Sequence, residues 1–246
     1  MSMLERLTSL ALRRPLVRES PLTREFKSLK GKSNASARWV RRQWNDPLVK
    51  QAKREGLRSR AAYKLRELNQ KFQLIKRGDV VLDLGAAPGG WTQVAVAATT
   101  PKINAKSAVN VVAVDLLRFD TIEGAAIVVG DFRQAAVREE IASHMQNRTA
   151  DVVLSDMAPS FSGNFLIDSQ NQLRLCYNAL KMAELYLKPG GNFATKILRG
   201  EDSEEFRETL KERFEVVKGV KPTSSRPEST ELFLVAKGYK PSTEDA

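Results

Sequence analysis

The stretch VVLDLGAAPGGWTQVAVAA, Val80 to Ala98, decides the fold. Its first part, VVLDLG, is an apolar run with the length and β-branching of a buried strand, and TQVAVAA reads as a helix. The glycine-rich turn between them presents backbone N–H groups and the positive end of the helix to a ligand. Pro88 sits in the middle of that turn. Proline lacks an N–H, so the turn is a poor cradle for a pyrophosphate. Gly85, Ala87 and Gly90 match the dinucleotide pattern G-x-G-x-x-G only loosely.

The alternation continues outward. Apolar runs VVAVDLL, AAIVVGD, DVVLSDMA, NFATKIL, FEVVKGV and ELFLVAKGY follow, with helical stretches QAAVREEIASHM, NQLRLCYNALKMAELYL and SEEFRETLKERF among them. Before the turn, AAYKLRELNQKF reads as an amphipathic helix with Ala61, Leu65 and Leu68 on one face. Apolar strands alternating with helices predict an α/β fold whose seven-stranded, mostly parallel sheet is covered on both faces. Only KPTSSRPEST separates the last two runs, too short for a helical crossover, so the last strand is expected to be antiparallel.

Ligands of open α/β sheets bind beyond the carboxyl ends of the strands. There Gly89 and Gly90 allow close backbone approach, and the helix N-terminus favours a carboxylate. Asp115 ends the second run and suits ribose hydroxyls, because a carboxylate accepts two O–H bonds. Asp131 ends the third and suits an adenine amino group; Asp83 orients the turn or meets an ammonium. Each acid alone reads equally well as a structural cap. Together they favour a nucleoside with a charged amino-acid tail and no phosphate, and S-adenosylmethionine is such a ligand.

The net charge is +11, all of it in residues 1–60, which hold 16 Lys or Arg and 5 Asp or Glu; residues 61–246 hold 24 of each. A basic block points to a polyanion or to targeting. In residues 1–30, Leu4, Leu7, Leu10 and Ala11 recur at helical spacing beside Arg6, Arg13 and Arg14. That pattern reads as a mitochondrial transit peptide, or as the disordered basic tail of a protein of the bacterial cytoplasm. In residues 31–60, Trp39 and Trp44 lie among cations, which suits stacking on RNA bases and contact with phosphates, or packing onto the main domain. A catalytic domain is expected over 61–240 and a short tail over 241–246. A single cysteine, Cys176, and a single histidine, His144, exclude a disulfide framework and a Cys/His zinc site, and no metal is expected. No apolar run approaches the roughly 18 residues of a membrane span, and a monomer off the membrane is expected.

Four chemical groups converge on the ligand edge. Asp156 ends the fourth run and Lys196 lies late in the fifth. Glu231 starts the last run, which travels the other way, and Lys64 lies on the helix before the first. In SRAAYKL, DLGAAPGGW, DLL, GDF, SDMAP, LKPGGNFATKI, KPTSSRPEST and ELFLVA the chain resembles the FtsJ-like family of ribosomal RNA 2′-O-methyltransferases over residues 35–240. The resemblance implies a Rossmann-like methyltransferase fold and a Lys-Asp-Lys-Glu tetrad at Lys64, Asp156, Lys196 and Glu231. It implies donor contacts at Gly89, Trp91, Asp115, Asp131 and Asp156. It also implies a substrate, a uridine in the peptidyl-transferase region of large-subunit ribosomal RNA, met in the large subunit or its precursor. TTPKINAKSAVN, before the second run, departs from compact members and is expected as a surface loop.

A ribose hydroxyl is a weak nucleophile, so its proton must leave as it attacks a sulfonium methyl. Lysine serves as base only when neutral, a form that a nearby cation and desolvation favour. Lys196 is assigned as base, Lys64 as the cation that positions the hydroxyl, Asp156 as the group orienting Lys196, and Glu231 as the group orienting the pair or the ribose. Three alternatives stand beside this reading: a nicotinamide oxidoreductase, against which Pro88 argues, a methyltransferase acting on another RNA, and an assembly factor that binds RNA without catalysis.

Overall fold

The structure, a computed structural model, describes residues 44–100 and 109–241. Residues 1–30, Trp39 and most of the expected 99–110 loop and 241–246 tail lie outside them. The chain divides into two compact units, 1–46 and 47–246, and the first is described only at residues 44–46. The second unit thus takes in residues 47–60, which the charge pattern had set apart from the catalytic domain.

That unit opens with α1 (Pro47–Arg54) and α2 (Ala61–Phe72). It continues through β1 (Val81–Leu84), α3 (Gly90–Thr99), β2 (Val111–Asp115), β3 (Ala125–Val129), α4 (Ala135–His144) and β4 (Ala150–Ser155). Then come α5 (Phe165–Tyr186), β5 (Leu187–Leu198), α6 (Glu201–Arg213), β6 (Phe214–Val220) and β7 (Glu231–Tyr239). The strands form one seven-stranded sheet in the order β3-β2-β1-β4-β5-β7-β6. β1 to β5 pair in parallel, and β7 runs antiparallel between β5 and β6, as the short final connection predicted. Strand order reverses between β1 and β4, the place where an open α/β sheet leaves a crevice.

Alternation along the strands sorts the core into two layers. Val81, Val111, Leu154, Ala194 and Phe233 pack on Leu65 and Leu68 of α2 and on Trp91 and Val94 of α3. Leu82, Val112, Val153, Phe193 and Leu234 face the other way, onto Ile141 of α4, Ala179 of α5 and Phe206 of α6. The apolar face of α2 consists of Ala62, Leu65 and Leu68, with Ala61 only partly covered, a shift of one residue from the predicted face. Burial of each leucine contributes roughly 1.5–3 kcal/mol, and Leu65→Ala would cost about 2–5 kcal/mol. Gln73, in the left-handed conformation (φ 50°), ends α2 by donating its N–H to the Asn69 carbonyl.

Two boundaries differ from the sequence reading. α5 begins at Phe165, six residues before the predicted start at Asn171. Asn164 caps it, its side-chain oxygen accepting from the N–H groups of Leu166 and Ile167 at 3.0 and 3.4 Å. Leu187, assigned from its spacing to that helix, opens β5 instead.

Candidate active site

The strand register builds the site. Asp83 stands two residues after Val81, Asp156 two after Leu154, Lys196 two after Ala194, and Glu231 two before Phe233. All four therefore belong to the sheet face covered by α2 and α3. Asp115, four residues after Val111, joins them at the end of β2. Lys64 reaches the same edge from α2.

The tetrad forms two ion pairs. Lys64 Nζ lies 2.6 Å from Oε1 and 2.7 Å from Oε2 of Glu231, and 5.5 Å from the centre of the Phe233 ring. Lys196 Nζ lies 3.0 Å from Asp156 Oδ1, while its aligned hydrogen bond goes to the Asp156 backbone carbonyl at 2.7 Å. The four side chains keep only 11–17% of their surface in water. Burial alone would push the Glu231 carboxyl up; the charges of Lys64 and, further off, Lys196 outweigh it and hold Glu231 below the usual range. Lys196 stands opposite Phe233 and Glu231 opposite Leu198 across the β5–β7 pairing, so the two pairs are neighbours.

The side of the edge next to the glycine turn is built around Asp83. Burial pushes its carboxyl up to about 7; the Thr92 hydroxyl, donating to Oδ2 at 2.7 Å, opposes this, and Asp156 and Asp115 add to it. Oδ1 is buried and accepts no hydrogen bond. Gly89 enters α3 at φ 105°, and a Cβ there would come within 2.6 Å of Ile122. Asp115 accepts from Ala87 N–H at 2.9 Å and Leu117 N–H at 2.8 Å, tying β2 to the turn while leaving carboxylate lone pairs for a ligand. Asp131 lies two residues beyond β3, and both of its oxygens accept from the exposed guanidinium of Arg133. The Trp91 indole faces away: it is buried, stands 5.6 Å from the Phe233 ring and donates to Ala61 O at 2.9 Å. Only the backbone of Trp91 remains for a ligand.

Two contributors carried no sequence signal. Gln172 on α5 is 1% exposed, and its Nε2 donates to Lys196 O at 2.8 Å and Met157 O at 3.2 Å. It fastens the strand bearing Lys196 to the loop that follows Asp156. Arg58, in the basic amino-terminal block, donates to the carbonyls of Pro88 (3.2 Å), Asp120 (2.5 Å) and Thr121 (2.6 Å) and so clamps the glycine turn. Arg60 likewise donates to Ser224 O. Cys176 is a buried thiol, pushed up to about 11 by burial, that donates to Lys196 O. Among the described residues no cluster of three metal-ligating side chains occurs, and no helix is long and apolar enough to cross a membrane.

Residues 57–239 match the FtsJ-like methyltransferase family. The chain belongs to that family. Within it, the chain is 43% identical over 208 residues to the ribosomal RNA large subunit methyltransferase E of Acinetobacter baylyi, covering 85% of this chain and 94% of the relative. The enzyme of the same name from Acinetobacter baumannii is 42% identical over the same extent. A solved chain from Plasmodium falciparum, described as a ribosomal RNA methyltransferase, superposes with a TM-score of 0.63 at 28% identity, covering 74% of this chain and 98% of that one. Family membership makes the protein a methyl-group transferase, and the α/β sheet with its antiparallel last strand is the fold predicted above.

Proposed function

We propose that the protein transfers the methyl group of S-adenosylmethionine to the 2′-hydroxyl of a uridine in the peptidyl-transferase region of large-subunit ribosomal RNA. The observation that carries this reading is the pair of adjacent, nearly buried ion pairs, Lys64–Glu231 and Lys196–Asp156, at the strand edge beside the glycine turn. Relatives named as ribosomal RNA large subunit methyltransferase E supply the substrate class.

The residues present fit the donor. Asp83 offers a buried carboxylate oxygen without a partner, suited to an ammonium. Asp115 would take the ribose hydroxyls, and Asp131, sharing Arg133, the adenine amino group; the backbone at Gly89 and Trp91 would line the amino-acid tail. When bound, the donor supplies an electrophilic methyl.

Lys196 would take the proton of the 2′-hydroxyl as the ribose oxygen gains the methyl group that the donor would supply. Asp156 holds Nζ through its carboxylate and carbonyl, and it stabilises the ammonium that proton transfer creates. Lys64, gripped by both oxygens of Glu231, positions the ribose oxygen. Much of the acceleration comes from alignment of oxygen, methyl and sulfur. RNA is met by exposed cations of α1, namely Lys50, Lys53 and Arg54. The named relatives are bacterial, which supports the bacterial cytoplasm over the mitochondrion as the compartment. The enzyme acts as a monomer. Mapping of 2′-O-methyl groups on ribosomal RNA from cells with and without the protein tests the proposal: one uridine of the large subunit should lose its methyl, and an unchanged map would refute it.

A further inference from the structure

Four large apolar side chains stand in water between residues 161 and 167: Phe161 is 62% exposed, Phe165 47%, Leu166 72% and Ile167 48%. They occupy the segment that leaves Asp156 and opens α5. Its conformation is fixed by hydrogen bonds. Asp168 accepts from the Ser162 N–H at 2.7 Å, the Ser162 hydroxyl at 2.8 Å and the Gly163 N–H at 3.2 Å, and Asn164 caps the helix. The fold thus holds apolar surface in water, and clustered exposure of this kind marks a binding surface.

The patch adjoins the catalytic edge. A methyl group on Gly200 would meet the Phe165 ring at 3.8 Å, and Gly200 follows Lys196 by four residues on the same β5 exit. Gln172, two turns further along α5, bonds the Lys196 carbonyl, so the first turns of the helix project roughly 10 Å past that carbonyl's level. Exposed Arg199 lies between Lys196 and Gly200. Rings and aliphatic side chains near an exposed guanidinium suit a base attached to a phosphate. A protein seated here would cover the edge that the ribose must reach.

We propose that Phe161 and Phe165, flanked by Leu166, form a stacking platform for the nucleobase adjoining the target nucleotide, with Arg199 meeting its phosphate. The inference rests on the functional reading above, because the ribose at Lys196 fixes where its neighbour lies. RNA is read where bases are splayed out of their stack, and aromatic faces take such bases with little sequence preference.

The test uses the full chain, S-adenosylmethionine and a ribosomal RNA fragment centred on the mapped uridine. Phe161→Ala and Phe165→Ala should each raise the KM for RNA by roughly 5- to 150-fold, the ratio that loss of one base–aromatic stack produces. Donor affinity should be unchanged, which also reports an intact fold. Phe165→Tyr should restore most of the loss, and Leu185→Ala, an exposed apolar residue at the far end of α5, should change nothing. An abasic ribose beside the target should raise the wild-type KM similarly and leave the Phe variants no further loss. A Phe penalty that persists whichever of the two neighbours is abasic, or no penalty at all, overturns the platform even when the wild type methylates the fragment. Absence of methyl transfer by the wild type would overturn the functional reading and this inference with it.

Discussion

Asp83→Asn isolates the cost of a buried carboxyl. Asp83 is 1% exposed, and its carboxyl is pushed up to about 7, whereas an unfolded aspartate titrates near 3.9. Because the folded value is raised, the folded chain keeps a proton that the unfolded chain has released between those two values. Stability attributable to this group is therefore full below the unfolded pKa, falls as pH rises through the window, and levels off above about 7. Over the whole window the loss is about 4 kcal/mol, and between pH 5 and pH 8 it is about 3 kcal/mol. Asparagine keeps an acceptor for the Thr92 hydroxyl but places an amide N–H₂ where Oδ1 has no partner, a fixed cost of about 1–3 kcal/mol. That cost does not depend on pH, so the comparison between two pH values removes it. Urea denaturation of both proteins at pH 5 and pH 8 should show the variant gaining about 3 kcal/mol on the wild type between them. Donor binding supplies a second readout: at pH 6 an ammonium against Asp83 should expel its proton, seen by calorimetry in buffers of different ionisation enthalpy, and the variant should release none. An equal stability difference at both pH values would refute the buried, protonated carboxyl.

Lys196→Ala should lower turnover by about 10²–10⁴-fold with the donor dissociation constant unchanged, measured by methyl transfer and calorimetry; near wild-type turnover removes Lys196 as base. Glu231 is held below its usual range, so it contributes stability above the unfolded pKa that is lost as pH falls through the lower folded one. Glu231→Gln should therefore flatten the acid side of the stability profile, and an unaltered profile contradicts the Lys64 pairing. Gln172→Leu removes both carbonyl bonds behind Lys196 and should lower kcat by about tenfold with KM for RNA nearly constant; a change confined to thermal stability would limit Gln172 to packing. Removal of residues 1–46 should leave donor binding intact in a calorimetric titration. Removal of residues 1–60 also deletes Arg58 and should weaken it, and equal affinity of the two truncations would discount the clamp.

Much of the sheet is legible because each parallel strand is a continuous apolar run with a turn at its end. The acids are legible for the same reason: Asp83, Asp115, Asp156 and the lysine at 196 each end or nearly end such a run. What the pattern hides is partnership. That Lys64 pairs with Glu231, 167 residues away, depends on β7 entering beside β5 in one register, with Leu198 opposite Glu231. The start of α5 was obscured because Phe165, Leu166 and Ile167 face water, which breaks the helical period expected of a buried face. Gln172 and Arg58 act through backbone carbonyls, and a hydrogen bond to the backbone leaves no trace in residue spacing. Trp91, expected at the donor, shows the converse: its backbone is placed at the turn, but its ring belongs to the core.

Among the described residues β6 has no neighbour in the sheet other than β7, and β7 leaves the ribosome after the other six strands. During synthesis β6 must wait as an unpaired ribbon until its successor threads in against β5, and Glu231 arrives in that same step. Lys64, made much earlier, spends the interval without its carboxylate partner. A nascent chain can thus fold its amino-terminal strands and the glycine turn while Lys64 still lacks Glu231.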